Sequence, residues 1–269
     1  VMLSGVAAAT ERLKVGSLVY GVDYRHPVIY ARQAATLQIM SGGRHEFGLG
    51  AGWMAEDYQW AGMPYDRPSV RIERLDEALT IIRGMWAEEA TTFSGRHYQV
   101  QDIPLGLGLG AGSAPDILIG GGGRKLLTVA GRHADIVGIN PTIPEGRITP
   151  ETALDLAPER VQQKIAWVRA GAEAAGRNFD DIELNALVFV TAVTDDPGPV
   201  FEMVSANLGV PADQAAALPL FLVGSANAIM DTLEKRREQT GISYIVVQGA
   251  DMAQLELFAD RVVAPLAGR

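Results

Sequence analysis

Asp116-Ile-Leu-Ile-Gly-Gly-Gly-Gly-Arg-Lys125 decides how the rest of this chain is read. A short strand-forming run ends in four glycines, and a basic pair and an apolar helical pattern (Leu126, Leu127, Val129, Ala130) follow. The order is strand, bare backbone turn, helix. Glycine lets main chain approach a ligand closely. The first amides of a helix are unpaired donors with partial positive charge, so such a turn suits a phosphate. The same residues would also make a tight packing turn, and the remainder of the chain has to separate the two uses.

Strand and helix patterns alternate on both sides of this stretch. On the N-terminal side, residues 1–13 read as the end of a helix and 15–20 as a strand. Residues 27–40 read as a helix opened by Pro27 and stopped by Gly42-Gly43, with Val28, Ala31, Ala35 and Ile39 on one stripe. Residues 45–49 form a strand that turns Glu46 and Gly48 inward. Residues 50–67 form a long loop holding Trp53, Tyr58, Trp60 and Tyr65. Over 68–87, Ile72, Leu75, Leu79, Ile82 and Trp86 recur at helical spacing. Arg71, Glu73, Arg74, Asp76 and Glu77 fall mostly on the other faces. A hairpin around Ser94-Gly95 spans 91–100.

On the C-terminal side come a strand at 135–139, a helix at 159–175, a strand at 182–193 and, at 195–220, an irregular stretch with short helical patches. A helix at 226–239 capped by Ser225, a strand at 243–248 and a helix at 252–266 complete the chain. Strict alternation implies an α/β fold with parallel strands and helices outside. The strands lie near residues 15, 45, 117, 135, 182 and 243. A doubly wound sheet accommodates six; a TIM (β/α)8 barrel requires eight.

Composition narrows the function. The 269 residues are 48% hydrophobic and 20% charged, enough for a large core. No break in composition divides them, so 1–269 is expected to form one domain, with insertions near 88–115, 140–157 and 195–224. The net charge of −9 argues against nucleic acid as a partner. There is no cysteine, which removes thiolate catalysis and fits a cytoplasmic location. No apolar run approaches the ~20 residues of a membrane helix.

In a parallel α/β fold the site lies at the carboxyl ends of the strands. Two glycine-rich turns fall there: Gly48-Leu-Gly-Ala-Gly52, followed by Trp53, and Gly120, Gly121, Gly122 and Gly123. Neither is Gly-x-Gly-x-x-Gly, which argues for a phosphate-bearing ligand other than a dinucleotide. The glycines at 50 and 52 either leave room for a flat ligand or make a tight turn. The histidines at 26, 45, 97 and 133 do not share ligand spacing, so no metal site is expected; His26, before Pro27, faces the site. The inward Glu46 calls for a cationic partner and reads as a structural pair. Glu56 and Asp57 lie in the long loop, and no serine sits in Gly-x-Ser-x-Gly.

Tyr24-Arg-His-Pro27, Ala34-Ala-Thr-Leu37, Ser41-Gly-Gly-Arg44, Gly48-Leu-Gly-Ala-Gly-Trp53, Arg71-Ile-Glu-Arg-Leu-Asp-Glu-Ala78, Phe93-Ser-Gly-Arg-His-Tyr98 and Ile117-Leu-Ile-Gly-Gly-Gly-Gly123 occur in this order. Together they resemble the luciferase-like monooxygenase superfamily, and within it the oxidoreductases that use the deazaflavin coenzyme F420. The resemblance is dense over 10–140 and looser beyond. It implies a (β/α)8 barrel with the cofactor ring against a bulged strand that often carries a non-prolyl cis peptide. The matching positions are Leu18 and Val19, with Gly16 and Ser17 before them. Gly50, Ala51, Gly52 and Trp53 would approach the ring or ribityl chain. The 120–123 turn and Arg124 would receive the phosphate.

In that family about two strands and a helix precede the helix that begins here, and polar catalytic residues are commonly placed on the second strand. They have no counterpart in this chain. The expectation is therefore a barrel without its β1-α1-β2 portion, roughly fifty residues or more of a ~250-residue fold. A homodimer contact is expected to cover the open edge. The implied function is hydride transfer between deazaflavin and a small organic substrate. Asp23, Tyr24, Glu56 and Tyr58 are the substrate-side candidates, and Arg25, Arg124 and Lys125 are candidates for the cofactor's anionic tail. The alternatives are an FMN-dependent monooxygenase using oxygen and a non-catalytic flavin-binding protein.

Overall fold

The computed structural model describes residues 1–109, 113–143, 149–209, 211–248 and 251–267. The N-terminal elements are α1 (Met2–Ala9), β1 (Val15–Gly16), β2 (Tyr20–Gly21), α2 (Pro27–Ser41), β3 (His45–Gly50), α3 (Ala55–Trp60) and α4 (Pro68–Ala87). Next come β4 (Thr91–Ser94), β5 (Gln99–Ile103), β6 (Asp116–Gly121), α5 (Arg124–His133), β7 (Ile136–Ile139), α6 (Pro150–Leu154) and α7 (Pro158–Ala174). The chain continues with β8 (Glu183–Val188), β9 (Val190–Val193), α8 (Gly198–Leu208), α9 (Ala212–Ala217), β10 (Phe221–Gly224), α10 (Ala226–Thr240), β11 (Ile242–Val247), α11 (Met252–Phe258) and α12 (Ala264–Leu266). Two compact units result: Val1–Val137 with Val168–Ile182, and Gly138–Trp167 with Glu183–Arg269.

In the first unit β3 is the central strand, and all six of its residues are buried. It pairs in parallel with β1, β2 and β6. Gly16 lies opposite Glu46 and Tyr20 opposite Leu49, so four steps along one strand face three along the other. This is a one-residue bulge, and the cis peptide Leu18–Val19 sits inside it. The predicted strand at 15–20 is thus two short strands around the bulge.

Two helices cover this sheet, and their sequences explain their ends. α2 starts at Pro27, where a missing amide costs nothing, and the His26 Nδ1 accepts from Val28 N at 3.3 Å. It stops at Gly42, whose φ of 66° is left-handed. α4 buries Leu75, Leu79, Ile81, Ile82 and Met85. Its Trp86 Nε1 donates to the Ala31 carbonyl at 3.0 Å, tying α4 to α2. Ile39, expected on the buried stripe of α2, is 49% exposed; Leu37 and Gln38 are buried in its place. The predicted pairing of Glu46 is present, with the Lys14 ammonium 2.9 Å away. The hairpin β4–β5 is antiparallel, as its sequence predicts.

The second unit carries two parallel pairs, β8 with β11 and β9 with β10. Val188, Leu222, Ile229, Phe258 and Val262 form its core cluster. Two strands here differ from the expectation. The single strand expected over 182–193 breaks at Phe189, whose amide bonds the Leu220 carbonyl at 2.8 Å. The short helical patches expected over 195–220 are α8 and α9, and a strand not expected from the sequence, β10, follows directly. β10 has only four residues, too few for a period to show, and its pairing with β9 is what stabilises it. Residues 110–112, 144–148 and 210 of the expected insertions lie outside the described residues, as do 249 and 250 of the loop after β11. Among the described residues no helix is long and apolar enough to cross a membrane.

Candidate functional site

The site is built on the carboxyl edge of the first unit's sheet. Gly21 lies opposite Gly50, and Gly48 opposite Leu118. Paired strands are about 4.8 Å apart. The segment after β2, the turn after β3 and the turn after β6 therefore leave the sheet side by side, although they are far apart in sequence.

The glycines of β3 are there because the bulge presses on them. A β-carbon on Gly48 would stand 1.7 Å from the Ser17 carbonyl oxygen, and one on Gly50 would stand 2.7 Å from a Val19 methyl. Ser17 Oγ donates to the Gly48 carbonyl at 3.1 Å. Leu18 is 42% exposed at the crest of the bulge. Gly52 has a φ of 73°, and a β-carbon there would stand 2.0 Å from the Tyr58 hydroxyl. At 48 and 50, close strand packing takes the side-chain space. Ala51 is buried and Trp53 is 45% exposed just beyond.

α4 holds these turns in place with two arginines one helical turn apart. Arg71, only 4% exposed, donates from Nη1 to the Gly52 carbonyl and, at 3.4 Å, to that of Ala51. Its guanidinium stacks 4.0 Å over the Tyr65 ring, and the Tyr65 hydroxyl donates to the Trp53 carbonyl at 2.7 Å. Arg74 pairs with Asp23 through Nε at 2.8 Å and with Asp66 through Nη1 at 2.8 Å. The helical pattern places both arginines on the polar side of α4, so the sequence reading missed them. Their spacing of three, facing two aromatic-rich loops, was the available signal.

The four substrate-side candidates divide into two kinds. Asp23 accepts the Tyr58 hydroxyl at 2.8 Å as well as the Arg74 guanidinium. Tyr58 is 1% exposed; burial, and then the adjoining Asp23 carboxylate, push its phenol above the usual value. These two side chains satisfy each other. Tyr24 is 44% exposed, with its ring 5.8 Å from that of Tyr58. Burial, then Asp57 and Asp23, raise its phenol too. Glu56 is half-buried in the first turn of α3. His26, facing the site by sequence, serves as the cap of α2.

At the β6 turn, Gly121 and Gly122 are buried, Gly120 and Gly123 half-buried, and Arg124 is exposed. A β-carbon on Gly121 would stand 2.5 Å from Leu126, so packing uses that glycine. Gly123 is the N-cap of α5, and no side chain caps this end. A set of first-turn amides without a side-chain acceptor fits an anionic group such as phosphate. Lys125 does not stand free for an anionic tail. Its ammonium bonds Glu73 at 2.8 Å and the Ser69 carbonyl at 3.2 Å, which docks α5 on the first turns of α4. Arg25 lies 5.7 Å from the Tyr30 ring. Among the described residues no group of three or more acidic or histidine side chains could hold a metal ion.

Comparison with known proteins matches residues 1–198 to the family described as luciferase-like monooxygenase. The chain is 32% identical over 187 residues to an F420-dependent glucose-6-phosphate dehydrogenase of Microbacterium testaceum, which is 67% of this chain and 50% of that protein. It is 28% identical over 208 residues to the protein of the same name from Kineococcus radiotolerans, covering 75% of this chain and 56% of that one. The chain thus spans about half the length of these relatives. Among solved structures, an F420-dependent secondary alcohol dehydrogenase with an F420-acetone adduct superposes with a TM-score of 0.75 at 19% identity. The match covers 97% of this chain and 82% of that one, and at this identity it speaks for the fold.

Proposed function

The chain belongs to the luciferase-like monooxygenase family, and from that premise we propose that it acts in hydride transfer between the deazaflavin coenzyme F420 and a small organic substrate. One observation carries the reading. The bulge between β1 and β2, the turn after β3 and the uncapped start of α5 stand on adjacent parallel strands. That is one face for a flat ring next to one seat for a phosphate. The names of the relatives supply the cofactor in this proposal.

In this reading Ser17, Leu18 and Val19 back the ring, and Gly50, Ala51, Gly52 and Trp53 border it. The amides around Gly120, Gly121, Gly122 and Gly123 hold the phosphate, with Arg124 at the rim. The cofactor supplies a two-electron hydride donor or acceptor; the protein orients it and excludes water. Tyr24 and Glu56 are the candidates for meeting substrate. Asp23 and Tyr58 hold the loop that carries Tyr24. The (β/α)8 barrel that the family implies, the single-domain organisation, a homodimer and a cytoplasmic location belong to the same proposal.

The test is an absorbance titration of the purified protein with coenzyme F420 and, separately, with FMN. Tighter binding of F420 is expected, followed by turnover with an alcohol, a ketone or glucose 6-phosphate, the last taken from the relatives' names. Tighter FMN binding would favour the flavin monooxygenase reading. Cofactor binding without turnover on any of these would favour a binding protein.

A further inference from the structure

Arg71 is an unusual residue to bury. It is 4% exposed, it donates to two main-chain carbonyls, those of Ala51 and Gly52, and it also interacts with the Tyr58 hydroxyl. Its Nε has no hydrogen-bond partner among the described residues. Taking a guanidinium out of water is costly unless a carboxylate or a full set of acceptors balances it. Arg74, one turn on, has that balance in Asp23 and Asp66. The buried face of α4 is otherwise apolar, with Leu75, Leu79, Ile82 and Met85. If Arg71 only filled space, an aliphatic side chain would fill it at lower cost.

Together, Arg71 and Tyr65 fix three consecutive peptide groups. Arg71 takes the carbonyls of residues 51 and 52, and Tyr65, stacked 4.0 Å beneath it, takes the carbonyl of Trp53 at 2.7 Å. In a trans peptide the N–H points opposite to the C=O. Holding these carbonyls toward α4 therefore turns the amides of Gly52, Trp53 and Met54 away from it. The left-handed φ of 73° at Gly52 lets the chain make this turn. We propose that Arg71 is a positioning residue that, with Tyr65, presents the 52–54 amides as preorganised donors to the acceptor edge of the cofactor ring. The proposal rests on the reading that a flavin-like ring lies at this turn.

The planar fork and the stack are both needed, so lysine is not an adequate replacement. The experiment compares wild type with Arg71→Met, Arg71→Lys and Tyr65→Phe in the full chain. It uses hydrogen exchange of residues 50–58, titration with F420, and the absorbance spectrum of the bound cofactor. In the F420-bound protein, exchange at 52–54 is expected to rise about tenfold in both Arg71 variants while α2 and β3 stay protected. F420 affinity is expected to fall about tenfold with an altered bound spectrum, lysine failing to rescue it, and Tyr65→Phe to shift each readout less in the same direction.

A merely structural arginine would lower the unfolding midpoint and leave the affinity and bound spectrum of the folded protein unchanged. That result overturns the proposal. If Arg71→Met does not fold, Tyr65→Phe decides, and unchanged exchange and affinity there overturn it as well. If wild type binds no F420, the functional reading fails by itself, and chymotrypsin cleavage after Trp53 still judges the clamp: it should be faster in both Arg71 variants, and an unchanged rate would overturn it.

Discussion

Gly48 and Ser17 are in such close contact that a β-carbon on the glycine would stand 1.7 Å from the serine carbonyl oxygen. The bulge that carries the cis Leu18–Val19 peptide is therefore seated directly on β3. This contact shapes the surface on which the proposed ring would lie, and its atom is main chain, which cannot swing aside.

Gly48→Ala should accordingly destabilise the protein by about 3 kcal/mol or more, since the backbone itself must move. Gly5→Ala is the matched control. Nothing lies within 4 Å of a β-carbon there, and it sits inside α1, so it should be neutral or stabilising by up to about 1 kcal/mol. Urea denaturation of both variants measures the difference, and equal effects would remove the packing explanation of the β3 glycines.

Asp23 and Tyr58 should behave as a coupled structural pair. Asp23→Asn leaves the Arg74 guanidinium, 19% exposed, with Asp66 alone and should cost about 3 kcal/mol. Tyr58→Phe removes one hydrogen bond and should cost about 1 kcal/mol. The double variant should be less damaging than the sum, since the two side chains share one contact. Strict additivity in a denaturation cycle would show that the pair is not formed in solution.

Asp155 makes stability depend on acid. Burial acts to raise its carboxyl, but the Lys164 ammonium, the Thr142 amide and hydroxyl, and Arg160 outweigh it and hold the group at about 2. The unfolded value is near ~3.9. A folded value below the unfolded one means the contribution is fully present above about pH 4 and is lost as pH falls toward the folded value. Thermal midpoints between pH 5 and 2 should fall less steeply in Asp155→Asn than in wild type. Some slope should persist, because Asp76 is also lowered: there burial is outweighed by His133 and Arg132.

Gly122→Asp tests the phosphate seat. Gly122 is buried between β6 and the start of α5. A carboxylate there would face the incoming anion, and the affinity for F420 should drop at least about tenfold. A folded variant with wild-type affinity in the absorbance titration would place the phosphate elsewhere.

The sequence by itself determined the elements whose signals are local and repeated. Helical spacing marked α4, Pro27 and Gly42 bounded α2, and the run from Asp116 through Lys125 marked β6, its turn and α5. The ordered motifs pointed to the family and to the Leu18–Val19 position where the cis peptide lies. Only the tertiary structure decided the rest. β10 is too short to carry a period, and the break at Phe189 depends on a bond to Leu220. Whether Asp23 could act on a substrate depended on Tyr58 and Arg74, 35 and 51 residues away. Arg71 read as a surface charge until the Ala51 and Gly52 carbonyls came to meet it. Periodicity reports which face of an element is apolar; the partner that will satisfy a polar group is chosen by chain segments that meet only in the folded state.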